Sequence, residues 1–295
     1  MSLDNPRPVE RSELFATRPR TSKKLRLELL WVAGSLEGLA GRTIAVVGSR
    51  APSEGGRSRA REIGRRFAQA GVCVISGLAL GVDGAAHVGA LDGGGLTIGV
   101  LGGGHRHFFP RRNRHLAEAI VESGGAVISP YPPDEPVRRW HFLQRNGVVA
   151  ALADAVVIVE AAARSGALNT AGWAGDLSLP VFAFPGDVDR PKAAGCNALI
   201  RDGTVLVRDA ADVLDDLGWV KKPETAPEPA LPQPEGSLAA AVFAELVGES
   251  VELERLIELT GAPTGDVLAV LFELEMAGYV ERRDDSTYAR AKRAA

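Results

Sequence analysis

The stretch TIAVVGSRAPSEGG, Thr43 to Gly56, indicates the fold class of this chain. Its first part, Thr43–Val47, is a continuous run of apolar and β-branched residues, typical of a parallel-sheet strand that is buried on both faces. Gly48-Ser49-Arg50 comes next and leads into a segment that starts like a helix. An α/β protein binds a phosphate group at this kind of turn. The phosphate could belong to a nucleotide cofactor, a small substrate or a nucleic acid.

Similar runs recur along the chain and alternate with helical patterns at 59–70, 115–123 and 168–177. The further predicted strands are Val72–Ser76, Thr97–Leu101, Ala126–Ser129, Ala155–Glu160, Pro180–Phe184 and Thr204–Val207. Repeated strand–helix units of this kind predict an α/β fold with a doubly wound, mostly parallel, extended Rossmann-like sheet over residues 41–219.

The remaining sequence predicts three further regions. Residues 1–40 form a short N-terminal segment with one predicted helix, Ser22–Ala33. Residues 220–236 are rich in proline and are typical of an extended linker. Residues 237–295 predict a small winged-helix module, with helices at 237–247, 251–260 and 264–277 and a hairpin at 279–283 and 286–289.

Composition narrows the class of protein. The chain has 295 residues, 45% hydrophobic content and a formal net charge of −3, so bulk charge does not favour nucleic-acid binding and a local basic patch would be needed. Its two cysteines, Cys73 and Cys196, are far apart and outside any CxxC spacing, which fits a reducing compartment. The first 20 residues show no signal-peptide hydrophobic region. We therefore expect a cytoplasmic protein without a membrane partner.

Motifs for common cofactors and metals do not match. The turn VVGSRAPSEGGR is not GxGxxG, and Ser76 ends the second strand where a dinucleotide-binding protein carries an acid. The chain has no GxxxxGK[ST] motif, and His105 and His107 lack partner ligands nearby. The sequence therefore predicts no cofactor and no metal.

Glycine-rich loops follow most of the predicted strands. They are 48–50, 77–83, 102–104, 164–166 and 185–186. Because the carboxyl ends of parallel strands share one edge of the sheet, we expect a ligand-binding edge with exposed backbone amides. The alternative interpretation is that these glycines only make tight turns.

Arginines and aromatic rings are interleaved between Leu101 and Asn146. This stretch contains seven arginines and four acidic residues, a local net charge of +3. The rings are Phe108, Phe109, Trp140 and Phe142. Guanidinium groups for phosphates beside rings for bases are typical of a groove that binds single strands, although surface arginines often only face solvent.

No catalytic constellation stands out. Asp83, His87 and Glu160 lie near predicted strand ends, but no spacing links them to a serine nucleophile. Asp83 and His87 are four residues apart on a predicted helix start, where an N-cap aspartate beside a histidine is more common than a catalytic pair.

The ordered motifs resemble the DNA-processing protein A family (DprA, also called Smf). They run over roughly 41–207: Gly48-Ser49-Arg50, Ser76–Asp83, Ala86-His87, Gly89–Leu91, Thr97–Gly102, Phe109–Asn113, Phe142–Asn146, Val159–Ala161, Ser165–Leu168, Thr170-Ala171, Val181–Gly186, Gly195–Asn197 and Leu199-Ile200. The tail at 271–279 is similar to the family's C-terminal winged-helix module.

The resemblance implies a non-catalytic protein that binds and protects incoming single-stranded DNA. Such proteins help to load the recombinase RecA during natural transformation and homologous recombination, and they form homodimers. Carried over by position, Arg50 would hold a phosphate, Arg111 or Arg112 and Arg139 would add basic contacts, and Phe142 would stack on bases. The other implied nucleic-acid-binding residues are Gly48, Ser49, Arg145, Asn146, Ser165 and Gly166.

Two departures and two alternatives accompany the resemblance. Leu143 and Gly147 replace a proline and an arginine of the family motif, and Ser129-Pro130-Tyr131-Pro132 replaces its Ser-Glu-Tyr-Pro. A nucleotide-processing enzyme of the phosphoribohydrolase type shares the fold class, but its Pro-Gly-Gly-x-Gly-Thr loop and following acid do not match 165–176. The other alternative is a scaffold protein.

The charges of the winged-helix module argue against duplex DNA. Residues 236–295 carry eleven acids and six bases, and the predicted recognition helix, 264–277, has no lysine or arginine. Because a polyanion repels such a surface, we expect this module to contact a protein or to regulate.

Overall fold

The computed structural model describes residues 3–17, 25, 27–220, 237–246, 250–283 and 287–291. Apart from Val220, the predicted linker 220–236 lies outside these ranges. The chain divides into two compact units, Met1–Val220 and Lys221–Ala295.

The first unit is built on a nine-stranded sheet with the order β1-β2-β6-β5-β4-β3-β7-β8-β9. Its strands are β1 (Arg7–Glu10), β2 (Leu29–Gly34), β3 (Thr43–Val47), β4 (Cys73–Ser76), β5 (Thr97–Val100), β6 (Ala126–Ser129), β7 (Ala155–Ile158), β8 (Val181–Ala183) and β9 (Val205–Leu206). Strands β3 to β9 pair in parallel, whereas β1 and β2 are antiparallel additions at the β6 edge. The predicted doubly wound, mostly parallel α/β fold is confirmed.

Strand β3 lies at the centre of the sheet and is buried throughout. It pairs with β4 on one side and with β7 on the other. Its side chains alternate between two cores, with Ala45 and Val47 in one and Ile44 and Val46 in the other. Because both faces are covered, every position of the strand is hydrophobic or β-branched, as the continuous run predicted.

Helices cover both faces of this sheet. They are α1 (Arg11–Leu14), α2 (Glu54–Gln69), α3 (Val82–Asp92), α4 (Arg114–Glu122), α5 (His141–Ala151), α6 (Gly166–Asp176), α7 (Ala194–Arg201) and α8 (Ala210–Asp216). Helix α2 begins after Ser53, whose side chain accepts a hydrogen bond from the amide of Gly56 at 3.0 Å. This N-cap stabilises the point at which α2 begins.

The prediction of a helix at Ser22–Ala33 is wrong where the structure describes that stretch. Leu29–Gly34 is strand β2, and Trp31 lies opposite Ser129 of β6. A short apolar run has too few residues to distinguish the helical period from the strand period. The outer edge of β6 offers unpaired backbone groups, and pairing with that edge selects the strand.

The second unit contains α9 (Ser237–Glu245), β10 (Val251–Glu252), α10 (Leu253–Thr260), α11 (Thr264–Met276), β11 (Val280–Arg282) and β12 (Thr287–Arg290). Its three strands form a sheet with the order β10-β12-β11. Val242, Leu256 and Leu271, one from each helix, are buried in its core. The predicted winged-helix fold is confirmed, and the turn predicted at 284–285 lies outside the described residues.

None of the helices in the described ranges combines the length and the hydrophobicity needed to cross a bilayer. The same part of the chain contains no group of three or more His, Cys, Asp or Glu side chains arranged to hold a metal ion. Cys73 and Cys196 are both buried.

Candidate nucleic-acid interface

The loop Gly48-Ser49-Arg50 leaves the carboxyl end of β3 and is tied to two neighbouring segments. The amide of Ser49 donates to the carbonyl of Glu160 at 2.7 Å, and the carbonyl of Ser49 accepts from the amide of Val82 at 3.1 Å. A Cβ on Gly48 would lie 2.7 Å from Cγ2 of Val82 and 2.9 Å from the Glu160 carbonyl, so a larger residue would displace the loop. The tight turn presents Arg50, whose side chain is exposed.

A cleft of about 450 Å³ opens beside this loop, where the strand order changes direction around β3. Ligands of open α/β sheets bind at this switch point, and the cleft has the volume of a ligand site. Seven of the eleven predicted nucleic-acid-binding residues line the cleft: Gly48, Ser49, Arg50, Arg145, Asn146, Ser165 and Gly166. The fold therefore brings together three segments that are far apart in sequence.

Phe142 lies at the rim of the cleft and contacts Arg50. The guanidinium carbon of Arg50 is 5.0 Å from the centroid of the Phe142 ring, within the range of a cation–π contact. A Cβ on Gly102 would lie 2.7 Å from Cδ1 of this ring, so Gly102 leaves the space that the ring occupies. Phe109 completes the group, with its ring centroid 6.1 Å from that of Phe142 and half of its side chain exposed.

Arg145 lines the cleft from below and is only 3% exposed. Its Nη1 donates hydrogen bonds to the carbonyls of Gly77, after β4, and Val100, at the end of β5. Burial lowers the pKa of Arg145 to about 10, and the charge of Asp83 opposes this effect. The resemblance implied a nucleic-acid-binding role for Arg145, and in this structure its guanidinium is hydrogen-bonded to the protein and connects two strand ends.

Asp83 and His87 have separate partners. Asp83 is buried, accepts a hydrogen bond from the amide of Gly77 at 3.2 Å, and interacts with the charge of Arg145. His87 is also buried, and its Nδ1 lies 2.7 Å from the Thr97 hydroxyl. Burial is the main cause that lowers the pKa of His87 to about 3, so this ring is neutral near pH 7. The helix is capped by Gly81, so the predicted N-cap role of Asp83 is wrong.

Asn146, Ser165 and Gly166 join α5 to the start of α6. The amide group of Asn146 donates to the carbonyl of Gly166 and to Oδ1 of Asn169, both at 3.2 Å. The Ser165 hydroxyl caps α6 and accepts from the amide of Ala167 at 3.3 Å. Gly166 is exposed at the first position of the helix, where backbone amides attract anions.

The other three predicted basic contacts, Arg111, Arg112 and Arg139, do not line this cleft. All three are exposed. Arg111 and Arg112 lie in a short 3₁₀ turn before α4, and Arg139 lies just before α5. Arg112 lines a neighbouring cleft, which Arg50 also lines.

Ion pairs reduce the basic character predicted for residues 101–146. Three of the seven arginines there pair with acids: Arg106 with Asp134 at 2.5 Å, Arg114 with Asp4 at 2.7 Å, and Arg138 with Glu135 at 3.5 Å. Arg145 is buried. Within the described ranges, only Arg111, Arg112 and Arg139 of this set are left exposed without an ion pair.

The prediction left out several residues that contribute to the cleft and its rim. Gly77 and Ala79 come from the loop after β4, Asp83 comes from the start of α3, and Ala162 and Thr170 come from the α6 side. The sequence did point to the first three residues, because they fall in the glycine-rich stretch 77–83 that follows the predicted strand Val72–Ser76. Phe109 also carried a signal, as a ring within a basic loop.

Family models match almost the whole chain. The model described as DNA recombination-mediator protein A matches residues 19–218, and the model described as DprA winged helix domain matches residues 225–286.

Curated relatives match over most of their length. Protein Smf of Escherichia coli is 39% identical over 257 residues, which cover 85% of this chain and 68% of that protein. A putative DNA processing protein DprA of Mycobacterium tuberculosis is 38% identical over 267 residues, which cover 87% of this chain and 67% of that protein.

Two solved structures are similar to this chain in both fold and sequence. DNA processing protein A of Streptococcus pneumoniae superposes with a TM-score of 0.66 at 34% identity, covering 72% of this chain and 74% of that one. DNA processing protein A of Helicobacter pylori, described for its single-stranded DNA binding mode, superposes with a TM-score of 0.61 at 27% identity, covering 66% of this chain and 88% of that one.

Proposed function

Because the chain belongs to the DNA recombination-mediator protein A (DprA/Smf) family, we propose that it binds single-stranded DNA, without cleaving it, in the cleft beside Arg50. The observation that carries this proposal is the convergence of the Gly48-Ser49-Arg50 loop, the start of α6 and the Arg50–Phe142 contact at one sheet edge. The H. pylori relative, described for single-stranded DNA binding, supports the ligand class.

The geometry suggests how a strand would be held. Arg50 is exposed and permanently charged, and its planar group can donate two hydrogen bonds to one phosphate. Gly166 is exposed at the start of α6, where backbone amides offer a second anion contact. Phe142 and the exposed Phe109 provide ring faces on which bases stack. Rings and phosphate contacts accept every nucleotide, so binding is expected to depend little on base sequence.

Hydrogen bonds in and beside the cleft favour binding over nucleotide hydrolysis. The Ser49 hydroxyl accepts from the amide of Ala51, and the Ser165 hydroxyl caps α6. The Ser76 hydroxyl donates to the carbonyl of Val46 at 2.6 Å. Each of these hydroxyls therefore has a structural partner, whereas an activated nucleophile needs an adjacent base. We propose that the chain is not an enzyme.

We further propose that the bound strand is protected and passed to the recombinase RecA by a cytoplasmic homodimer during natural transformation or homologous recombination. The description of the family as a recombination mediator supports this step. The winged-helix unit is proposed to contact proteins, since Asp266, Glu273 and Glu275 are exposed on α11 and this helix carries no basic residue.

Fluorescence anisotropy with a labelled oligothymidine tests the binding site. Arg50→Ala should weaken binding about tenfold, as expected for the loss of a hydrogen-bonded charge. Phe142→Ala should weaken it about fivefold through lost stacking. Arg201→Ala is the matched control, because Arg201 is 85% exposed at the far end of α7.

Two results would contradict the proposed function. Unchanged affinity of both site variants would reject the cleft as the binding site. Release of free base from adenosine monophosphate, followed by chromatography, would favour the phosphoribohydrolase alternative.

A further inference from the structure

A second cleft of about 830 Å³ adjoins the first, and Arg50 and Ala51 line both. Its walls come from the first two turns of α2, from α3 and from the turn that carries Arg112. We refer to this second cleft as the α2 groove. Because Arg50 and Ala51 line both clefts, a chain molecule that leaves the first cleft beside Arg50 would enter the α2 groove next.

The α2 groove is basic. Four arginines line it, Arg50, Arg57, Arg61 and Arg112, against the single acid Glu54. Arg61 is bound to Asp92 at 2.6 Å. Arg57 and Arg112 are exposed and form no ion pair within the described ranges. Uncompensated charges of one sign along a concave surface attract an anionic ligand.

Other arginines on the same helix differ from Arg57. Arg65 and Arg66 both pair with Glu62, at 2.6 and 2.8 Å. The guanidinium of Arg59 lies 5.2 Å from the ring centroid of Phe184, on the side of a different cavity. Of the five arginines on α2, all within the described range 27–220, Arg57 is therefore the one with neither an ion pair nor a ring contact.

The floor of the α2 groove is aliphatic. Leu80 is 37% exposed, and Val88 and Leu116 are half-buried. All of the lining residues fall within the described range 27–220, and none is aromatic. Basic walls over an aliphatic floor suit a sugar–phosphate backbone, whereas base stacking requires the rings at the first cleft.

We infer that single-stranded DNA extends from the first cleft past Arg50 and into the α2 groove, where Arg57 and Arg112 contact successive phosphates. This inference rests on the proposed function. It assigns a binding role to Arg57 on α2 and places Arg112 in the same groove. It also divides the interface into a stacking part and a backbone-tracking part.

Oligothymidines of two lengths test the inference by anisotropy on the full chain. A strand of about 2 nucleotides is short enough to stay in the first cleft, and one of about 16 nucleotides also reaches the α2 groove. Arg57→Ala and Arg112→Ala should each weaken the longer strand severalfold and leave the shorter strand unchanged. For the longer strand, each substitution should also make the negative slope of log K against log salt less steep by about 0.7.

Arg66→Ala is the control, since it removes the same charge from the same helix outside the groove. An equal loss with Arg66→Ala, or an equal loss for both lengths, would assign the effect to bulk charge and overturn the inference. Unchanged binding of the longer strand by both groove variants would also overturn it.

The Arg50→Ala variant distinguishes a failure of the α2-groove inference from a failure of the proposed function. If Arg50→Ala weakens the shorter strand while the groove variants bind the longer strand normally, the first cleft stands and the α2 groove is rejected. If Arg50→Ala and Phe142→Ala both leave the two strands unaffected, both proposals are rejected. Thermal melting checks that each variant is folded, as expected for substitutions of exposed arginines.

Discussion

Arg50 and Arg145 line the same cleft but differ in environment. Arg50 is exposed against the Phe142 ring, so it can turn towards a phosphate. Arg145 is buried with Asp83 and binds two backbone carbonyls. The exposed arginine is available to a ligand, and the buried one supports the cleft by connecting two strand ends.

Arg145→Met should destabilise the fold. Removing the buried guanidinium takes away the positive charge that stabilises the buried Asp83 carboxylate, which costs about 3 kcal/mol in the free energy of unfolding. Urea denaturation of Arg145→Met, Asp83→Asn and the double variant measures the coupling. Asp83→Asn should cost clearly less when Arg145 is already replaced, and strictly additive losses would contradict the pairing.

Helix α11 belongs to a winged-helix fold, which often binds DNA, but it lacks the basic surface that DNA binding requires. It occupies the recognition position of the winged helix, yet its exposed side includes Asp266, Glu273, Phe272 and Met276. Phe272 is 63% and Met276 is 74% exposed. Acidic and apolar groups together disfavour a phosphate backbone and suit a protein partner.

The full chain should bind duplex DNA weakly at physiological salt, and Phe272→Ala with Met276→Ala should leave both duplex and single-strand affinity unchanged. The physical reason is that α11 offers a duplex no positive charge. Competition of an unlabelled duplex against a bound oligothymidine provides the measurement. Micromolar duplex binding that this double variant weakens would show that α11 reads DNA.

At the scale of the whole molecule, the net charge of −3 conceals a local concentration of basic groups. Unpaired arginines lie at the carboxyl edge of the sheet and beside α2, whereas 236–295 is acidic. In the proposed function, attraction to DNA therefore depends on a few short-range contacts, which salt weakens as counterions are released.

Affinity for an oligothymidine should fall steeply as salt rises, with a slope of log K against log salt of about −0.7 for each neutralised phosphate. Arg50→Ala should make this slope less steep by about 0.7, the value for one phosphate contact, whereas Arg201→Ala should leave it unchanged. Anisotropy titrations from low to moderate salt measure both slopes. A flat wild-type profile would contradict phosphate binding.

Much of the fold and part of the site could be predicted from local patterns. Continuous β-branched runs identified strands β3 to β9 because a buried parallel strand is hydrophobic at every position. Glycine turns after those strands placed Gly48-Ser49-Arg50 and Ser165-Gly166 at one edge, since parallel strands end on the same side.

Contacts between distant segments decided the rest. The strand state of Leu29–Gly34 depends on the free edge of β6, which no short apolar run reveals. The roles of the arginines depend on partners: Asp83 and Gly77 for Arg145, and Phe142 for Arg50. Sequence by itself determined which segments become strands and where their turns lie, because backbone propensity and hydrophobic period are local. Only the tertiary structure decided which charges are buried, paired or exposed, because those properties are set by residues that meet only after the chain has folded.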